Sequence, residues 1–495
     1  MPPAIVRVNR FSGLNTAVDS GRIKDSELVE CQNYNLSVGG ELVKRSGIKT
    51  LGTIIGGVQT VVIAFFLTRT YSQLIVRAGN DLYYTDDGGA TYVSMGTWNN
   101  VEFSEQYADI LYMVRRDDVM IQWNGVAMTA IPGSPSGSAC RIFKDRMYVV
   151  NSYIALSNRV YYSNVADFST AGWAGLSNFI DVKPGDGDVV VCFAILHDNF
   201  FIFKMFSTWL LYTAPDPTQW ALRISSPEIG CVSRYTPHEI EGFLYFLGAR
   251  GVYKTDGYFY TEVSVNVQPD FQEQVVSVAT INGSMAEWWL DRYIVQLQTF
   301  TFAPTWGAYG TSTWDSLASQ PWDGGNAKYT WHVYHLRANG WSHWLPAGGI
   351  RPGTMLAVMG PANMKGLYMG SRFNDGRLFR HGDPVYLDAT NTPYDCVVET
   401  KEFDFDAPEY VKRSFWVSFE KGGQGVSNIA NVFDSVQQPV APLTYSDSNR
   451  RALRVLAAVF FRVWRVRVTS TQDGPQTLYG FMLAASQKKK ALASV

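Results

Sequence analysis

Residues 228–257, EIGCVSRYTPHEIEGFLYFLGARGVYKTDG, decide the fold. Gly242-Phe243-Leu244-Tyr245-Phe246-Leu247 is a short aromatic and aliphatic run with high strand preference. Gly248, Ala249, Arg250 and Gly251 break it, and Val252-Tyr253-Lys254 forms a second strand. Asp256-Gly257 then favours a tight turn between antiparallel strands, after which Tyr258-Phe259-Tyr260 begins a third. Alternation puts Leu244 and Phe246 on one face and Tyr245 on the other. A meander this small cannot bury both faces alone, so the reading requires something stacked against it.

The same grammar recurs along the chain. Ser72–Gly79 leads through Asn80-Asp81 into Leu82-Tyr83-Tyr84-Thr85, and Asp109–Val114 leads through Arg116-Asp117-Asp118 into Val119–Trp123. Arg146–Val150 precedes Arg159–Tyr162, Phe200–Lys204 precedes Trp209–Tyr212, and Tyr293–Leu297, Trp331–His335 and Leu367–Gly370 follow. Units recurring every ~35–50 residues have the period of a four-stranded propeller blade. The expectation is a mainly β protein built on a β-propeller of roughly six to eight blades. Aromatic residues make up 14% of the chain, many of them in these runs, and the best helical pattern, Gln268–Val278, is short.

Domain boundaries follow from where this pattern starts and stops. Residues 1–52 read as an N-terminal arm without a convincing propeller unit, and 53–385 as the propeller, with loop insertions near 164–187 and 300–328. Residues 386–485 read as a C-terminal antiparallel β-sandwich, and 486–495, with Lys488-Lys489-Lys490, as a solvated basic tail. In the sandwich, Trp464, Val466 and Val468 alternate with Arg465 and Arg467, which assigns the two sets to opposite faces.

Charge and cysteine usage exclude several classes. A net charge of −2 provides no global field to draw the protein onto nucleic acid. No apolar run reaches the ~18 residues of a membrane span, and Met1–Asn15 has no signal-peptide core. Five dispersed cysteines without a C-x-x-C pair read as reduced thiols, not a disulfide framework or zinc site.

A resemblance narrows the class. Phe11-Ser12-Gly13-Leu14-Asn15-Thr16, then Ile23-Lys24-Asp25-Ser26-Glu27, Cys31-Gln32-Asn33 and Gly40-Glu41-Leu42-Val43-Lys44-Arg45-Ser46-Gly47 together resemble the N-terminal signature of tailed-bacteriophage tail nozzle or hub proteins. Asp198–Trp209, Pro217-Thr218-Gln219-Trp220, Ile229–Ser233 and Gly242–Gly257 resemble the same group. The resemblance implies a structural subunit of the virion tail, assembled in the host cytoplasm as a homo-hexameric ring. Its neighbours would be tail or adaptor proteins and tail fibres, and phage DNA would pass without sequence-specific binding. Alternative readings are a glycan-binding propeller or sialidase-like glycosidase, and a propeller interaction scaffold.

Motifs of chemistry are sparse. Thr85-Asp86-Asp87-Gly88-Gly89-Ala90-Thr91-Tyr92 resembles the Asp-box turn of sialidase-type propellers, which is structural. No spacing assembles the arginine cluster, Tyr–Glu nucleophile and acid of a sialidase, and no carboxylate pair stands out among the loop residues. His332 and His335, three apart on a strand, point to opposite faces and cannot share a metal. Asp181, Asp186 and Asp188 around Gly187 offer a calcium loop or simply a turn. Trp314-Asp315 and Trp322-Asp323 lie eight apart, not at blade spacing, and no phosphate-binding or dinucleotide fingerprint is present. The sequence therefore assigns no catalytic, cofactor-binding or metal residues. It assigns interface roles to Leu14, Ile23, Leu28 and Leu42, as apolar anchors of the arm, and to Trp306, Trp314 and Trp322 in the second insertion.

Overall fold

The computed structural model describes residues 4–54, 57–153, 157–272, 284–298, 329–347, 350, 352–383, 385–389, 391–406, 411–423, 425–433, 436–445, 451–455, 460–470 and 474–487. Among them, seven four-stranded antiparallel units follow one another, at 60–97, 101–130, 139–181, 190–226, 238–262, 285–344 and 352–381. Their first strands are Thr60–Leu67, Val101–Tyr107, Ala139–Phe143, Val190–Leu196, His238–Ile240, Met285–Trp289 and Pro352–Val358. Each first strand packs against the first strand of the next unit, and the seventh packs against the first. A closed ring of seven inner strands defines a seven-bladed β-propeller, inside the expected range.

Closure comes from the N-terminal arm. The seventh blade supplies only three consecutive strands, and Ile48–Thr53 pairs with Arg377–His381 as its fourth. Residues 1–52, read as lacking a propeller strand, thus carry most of the strand that locks the ring. The 164–187 segment, read as an insertion, also belongs to a blade. A 3-10 turn at Thr170–Leu176 leads into Phe179–Asp181, the outer strand of blade 3. Trp173 is buried between blades 2 and 3.

Blade faces are filled by apolar clusters between neighbours. Leu244 and Phe246 pack toward blade 4, while Tyr245 and Leu247 pack toward blade 6. The alternation seen in the sequence is therefore real, and both faces are buried. The third strand begins only at Tyr260, because Asp256 Oδ1 accepts the N–H groups of Tyr258 and Phe259 and withdraws them from the ladder. A strand at His238–Ile240, unread in the sequence, completes the blade.

The C-terminal region is a pair of packed sheets, but it is not independent. Blade 6 continues, through its outer strand Gly340–Trp344, into Glu27–Gln32 of the arm and then Cys396–Thr400, Trp464–Ser470, Gly425–Phe433 and Val436–Tyr445. The second sheet centres on Lys412–Gly423 and Gln476–Gln487, with arm strands Ala4–Val8 and Leu42–Lys44 beside the latter. Trp464, Val466 and Val468 face inward with Phe403 bridged to Trp464, and Phe461 and Phe481 of the second sheet pack against Trp464 and Phe403 across the sandwich. One apolar cluster joins this sandwich to blades 5 and 6. Beside it, Arg45 and Asp388 form a fully buried bidentate ion pair at 2.6 and 2.9 Å, with the guanidinium 3.9 Å over the Tyr394 ring.

Candidate functional site

A propeller gathers its polar groups where the inner strands converge, so the axis is the first place to search. Between blades 4 and 5 the chain runs inward through Ser233-Arg234-Tyr235-Thr236. Arg234 donates to the Ser138 carbonyl at 2.8 Å and to the Tyr153 hydroxyl, and lies 3.4 Å from the Glu102 carboxylate. Tyr235 donates its hydroxyl to the Glu102 carbonyl at 2.9 Å and stacks on Phe103. Glu102 and Phe103 belong to blade 2, three places around a seven-membered ring from blade 5. These two side chains therefore bridge the ring across its axis.

Three carboxyls of the inner strands face basic side chains. Glu102 pairs with Arg116 as well as Arg234, Glu105 with Arg141 of blade 3, and Glu287 with His238 of blade 5 at 3.6 Å. Burial pushes the carboxyls of Glu105 and Glu287 up, with Arg141 and His238 opposing it. Raised carboxyl pKa values accompany acid catalysis in other settings. Here each such group ties one blade to another.

Asp87 behaves as the Asp-box reading requires. Its Oδ1 accepts the N–H groups of Gly89, Ala90 and Thr91 at 2.8–3.2 Å, and its Oδ2 accepts the Thr91 hydroxyl. Burial would raise this carboxyl, but the bonds from Thr91, Thr85 and the backbone hold it well below the usual range. Gly89 takes φ +97°, which a side chain would resist.

At the suggested calcium loop, a protein cation already fills the space. The Lys204 ammonium, fully buried, donates to both Asp186 oxygens at 2.7 Å and lies 3.3–3.4 Å from the carbonyls of Val182 and Lys183. Asp181 pairs with Arg159, and Asp188 accepts from Phe206 N–H and the Ser207 hydroxyl. Lys204 is thus the counter-ion of the Asp186 turn.

Leu14, Ile23, Leu28 and Leu42 are all buried in the chain itself, at 3% exposure or less. Leu14, Leu28 and Leu42 belong to the cluster that joins arm, sandwich and blades 5 and 6. As placed, they cannot meet a neighbouring subunit, because their apolar surface is spent at the intramolecular seam. Trp306, Trp314 and Trp322 lie outside the described residues.

One grouping escaped the sequence reading. His332 does not face His335; it faces His343, its direct antiparallel partner across the outer hairpin of blade 6. The two rings stand 4.6 Å apart at 90°. Asp270, on the short helix Gln268–Gln272 leading into blade 6, completes a set whose ligand atoms all lie within 4.8 Å of one another. Direct cross-strand partners share a face, so the register that places these histidines together was the missing signal.

No protein-family model matches the chain, and a search of the curated proteins finds no match. Solved structures do resemble it. The designed protein Ika8 is 7% identical, with a TM-score of 0.39, over 68% of this chain and 100% of its own. YCF48 from Cyanidioschyzon merolae is 13% identical, with a TM-score of 0.37, over 68% of this chain and 98% of its own. BamB from Moraxella catarrhalis is 9% identical, with a TM-score of 0.35, over 77% of this chain and 96% of its own. The class rests on the chain's own closed ring of inner strands: a seven-bladed β-propeller fused through one core to a β-sandwich. Among the described residues, no helix is long and apolar enough to cross a membrane.

Proposed function

We propose that the protein is a structural scaffold that works by binding other proteins, not by turning over a substrate. The observation that carries this reading is the weave. The arm closes the ring, enters both sandwich sheets, and continues the blade 6 sheet through the seam. A body in which propeller and sandwich share a sheet and a core moves as one piece, which suits a component that transmits load between partners.

Within that reading, the setting we favour is a tail ring of a bacteriophage, assembled in the host cytoplasm as a homo-hexamer in contact with adaptor proteins and fibres. Its support is the set of sequence motifs quoted above. Because Arg234 and Tyr235 bridge the propeller axis, the DNA conduit in this proposal lies between subunits, not through a propeller.

Size-exclusion chromatography with light scattering, followed by negative-stain imaging, tests the setting. Closed rings with an open bore are the expected result, and a monomer at every concentration removes the tail ring. Incubation with sialosides, common polysaccharides and ATP tests the scaffold itself. Turnover above a heat-killed control, abolished by substituting one carboxylate, would overturn it.

A further inference from the structure

The grouping of Asp270, His332 and His343 carries more than packing. His332 is completely buried, yet neither of its ring nitrogens has a hydrogen-bond partner among the described residues. A neutral imidazole holds one donor and one acceptor, and leaving both unmet in the interior is costly. The His343 Nε2 and Asp270 Oδ2 atoms lie 3.3 Å apart without making a hydrogen bond, and each also lacks another partner among the described residues. Among the described residues, four polar atoms of three side chains are thus left unsatisfied in one place.

We propose that Asp270, His332 and His343 form a binding site for a divalent transition metal, with zinc as the best-suited ion. Two imidazoles and a carboxylate are a suitable borderline donor set for it. Zn–N and Zn–O bonds of about 2.0–2.2 Å in a tetrahedron separate adjacent ligand atoms by roughly 3.4 Å. The His343–Asp270 pair already sits at 3.3 Å. The full set spans at most 4.8 Å, so only modest side-chain rotation closes it. His343 and Asp270 keep 22% and 23% of their side chains exposed, which gives an entry path and room for water as a fourth ligand.

Position gives the site a structural purpose. Asp270 lies on the connection from blade 5, and the two histidines lie on the last two strands of blade 6. His343 pairs in register with Gln32, at the seam where the blade 6 sheet passes into the arm and sandwich. A bound ion would pin the connection to that seam. Phe271 already packs on His332 and Trp341 from the same helix.

The test uses the full chain, stripped with chelator and then titrated with Co²⁺ and Zn²⁺. We expect one equivalent of Co²⁺ to give the visible bands of a tetrahedral nitrogen–oxygen site, which Zn²⁺ displaces. Metal should also raise the melting temperature of the wild type. Asp270→Asn and His343→Gln, both at partly exposed positions, should bind about 100-fold more weakly or worse and lose the thermal shift. Failure of the wild type to bind near one equivalent overturns the proposal whether or not the variants fold. Undiminished binding in both folded variants overturns it too, since the metal would then sit on adventitious surface groups.

Discussion

Leu244 shows how little a single buried position of this fold tolerates. It is 1% exposed, between the sheets of blades 4 and 5. Leu244→Asp would bury a carboxylate in an apolar cluster, so it should abolish soluble expression. A soluble variant with wild-type circular dichroism would show that blade 5 does not need that contact. A second residue-scale effect concerns pH. His381 donates from Nδ1 to the Gly47 carbonyl while fully buried; burial, and then Arg45 and Arg292, push its pKa down to about 3, and burial also pushes His335 well below its usual value. Both groups bind protons more readily in the unfolded chain. Their contribution is therefore complete above the unfolded value near 6.5 and is lost as pH falls toward the folded one. Each histidine contributes a slope of about 1.4 kcal/mol per pH unit in that window. Glu105 and Glu287, raised by burial, act with the opposite sign, so the comparison must be with a variant. The melting temperature of His381→Gln should depend less steeply on pH, between about 7 and 5, than that of the wild type. Equal slopes would show that His381 does not titrate on unfolding.

At the scale of elements, legibility followed sequence distance. The meander around Leu244 and the Trp464–Val468 alternation were readable because each is a local pattern of period two. The closing strand was not. Ile48–Thr53 contains Gly52, has no hairpin partner nearby, and pairs with a strand more than 300 residues away. The His332–His343 pairing was hidden for a related reason, since spacing alone does not reveal hairpin register. Closure also makes a prediction. Gly370 in blade 7 lies so close to blade 1 that an added Cβ would sit 2.2 Å from the Thr60 carbonyl oxygen. Backbone cannot yield there without parting the two blades, so Gly370→Ala should cost about 1–3 kcal/mol and lower the melting temperature. An unchanged melting temperature would mean that the ring is not tightly closed at that point. The arm makes another. Ala4–Val8 covers one side of Gln476–Gln487, and Val8, Phe11 and Leu14 fill the shared cluster. Deleting residues 2–22 should lower stability and expose a strand edge prone to self-association. A monodisperse deletion variant with wild-type melting would show that the first strand is dispensable.

For the whole molecule, the deciding quantity is where its cations point. Net charge is −2, with 42 basic and 44 acidic side chains. Many of the basic groups are already neutralised inside the chain: Arg45 by Asp388, Lys204 by Asp186, Arg234 by Glu102, Arg159 by Asp181, and Arg465 and Arg467 by Glu399. Affinity for a nucleic-acid backbone comes mainly from unpaired lysines and arginines that displace condensed counterions, and it falls steeply with salt as more phosphates are contacted. A conduit benefits where such groups are paired within the protein, because strong phosphate contacts would hold the DNA that has to slide. The purified protein should therefore shift a DNA duplex only weakly at moderate salt, with the same affinity for unrelated sequences and a shallow dependence of affinity on salt. Tight binding with a steep salt slope would reveal a cluster of unpaired surface cations and would remove the conduit proposal. Preference for one sequence would require side chains reading base edges, and would replace a scaffold with a DNA-recognition protein.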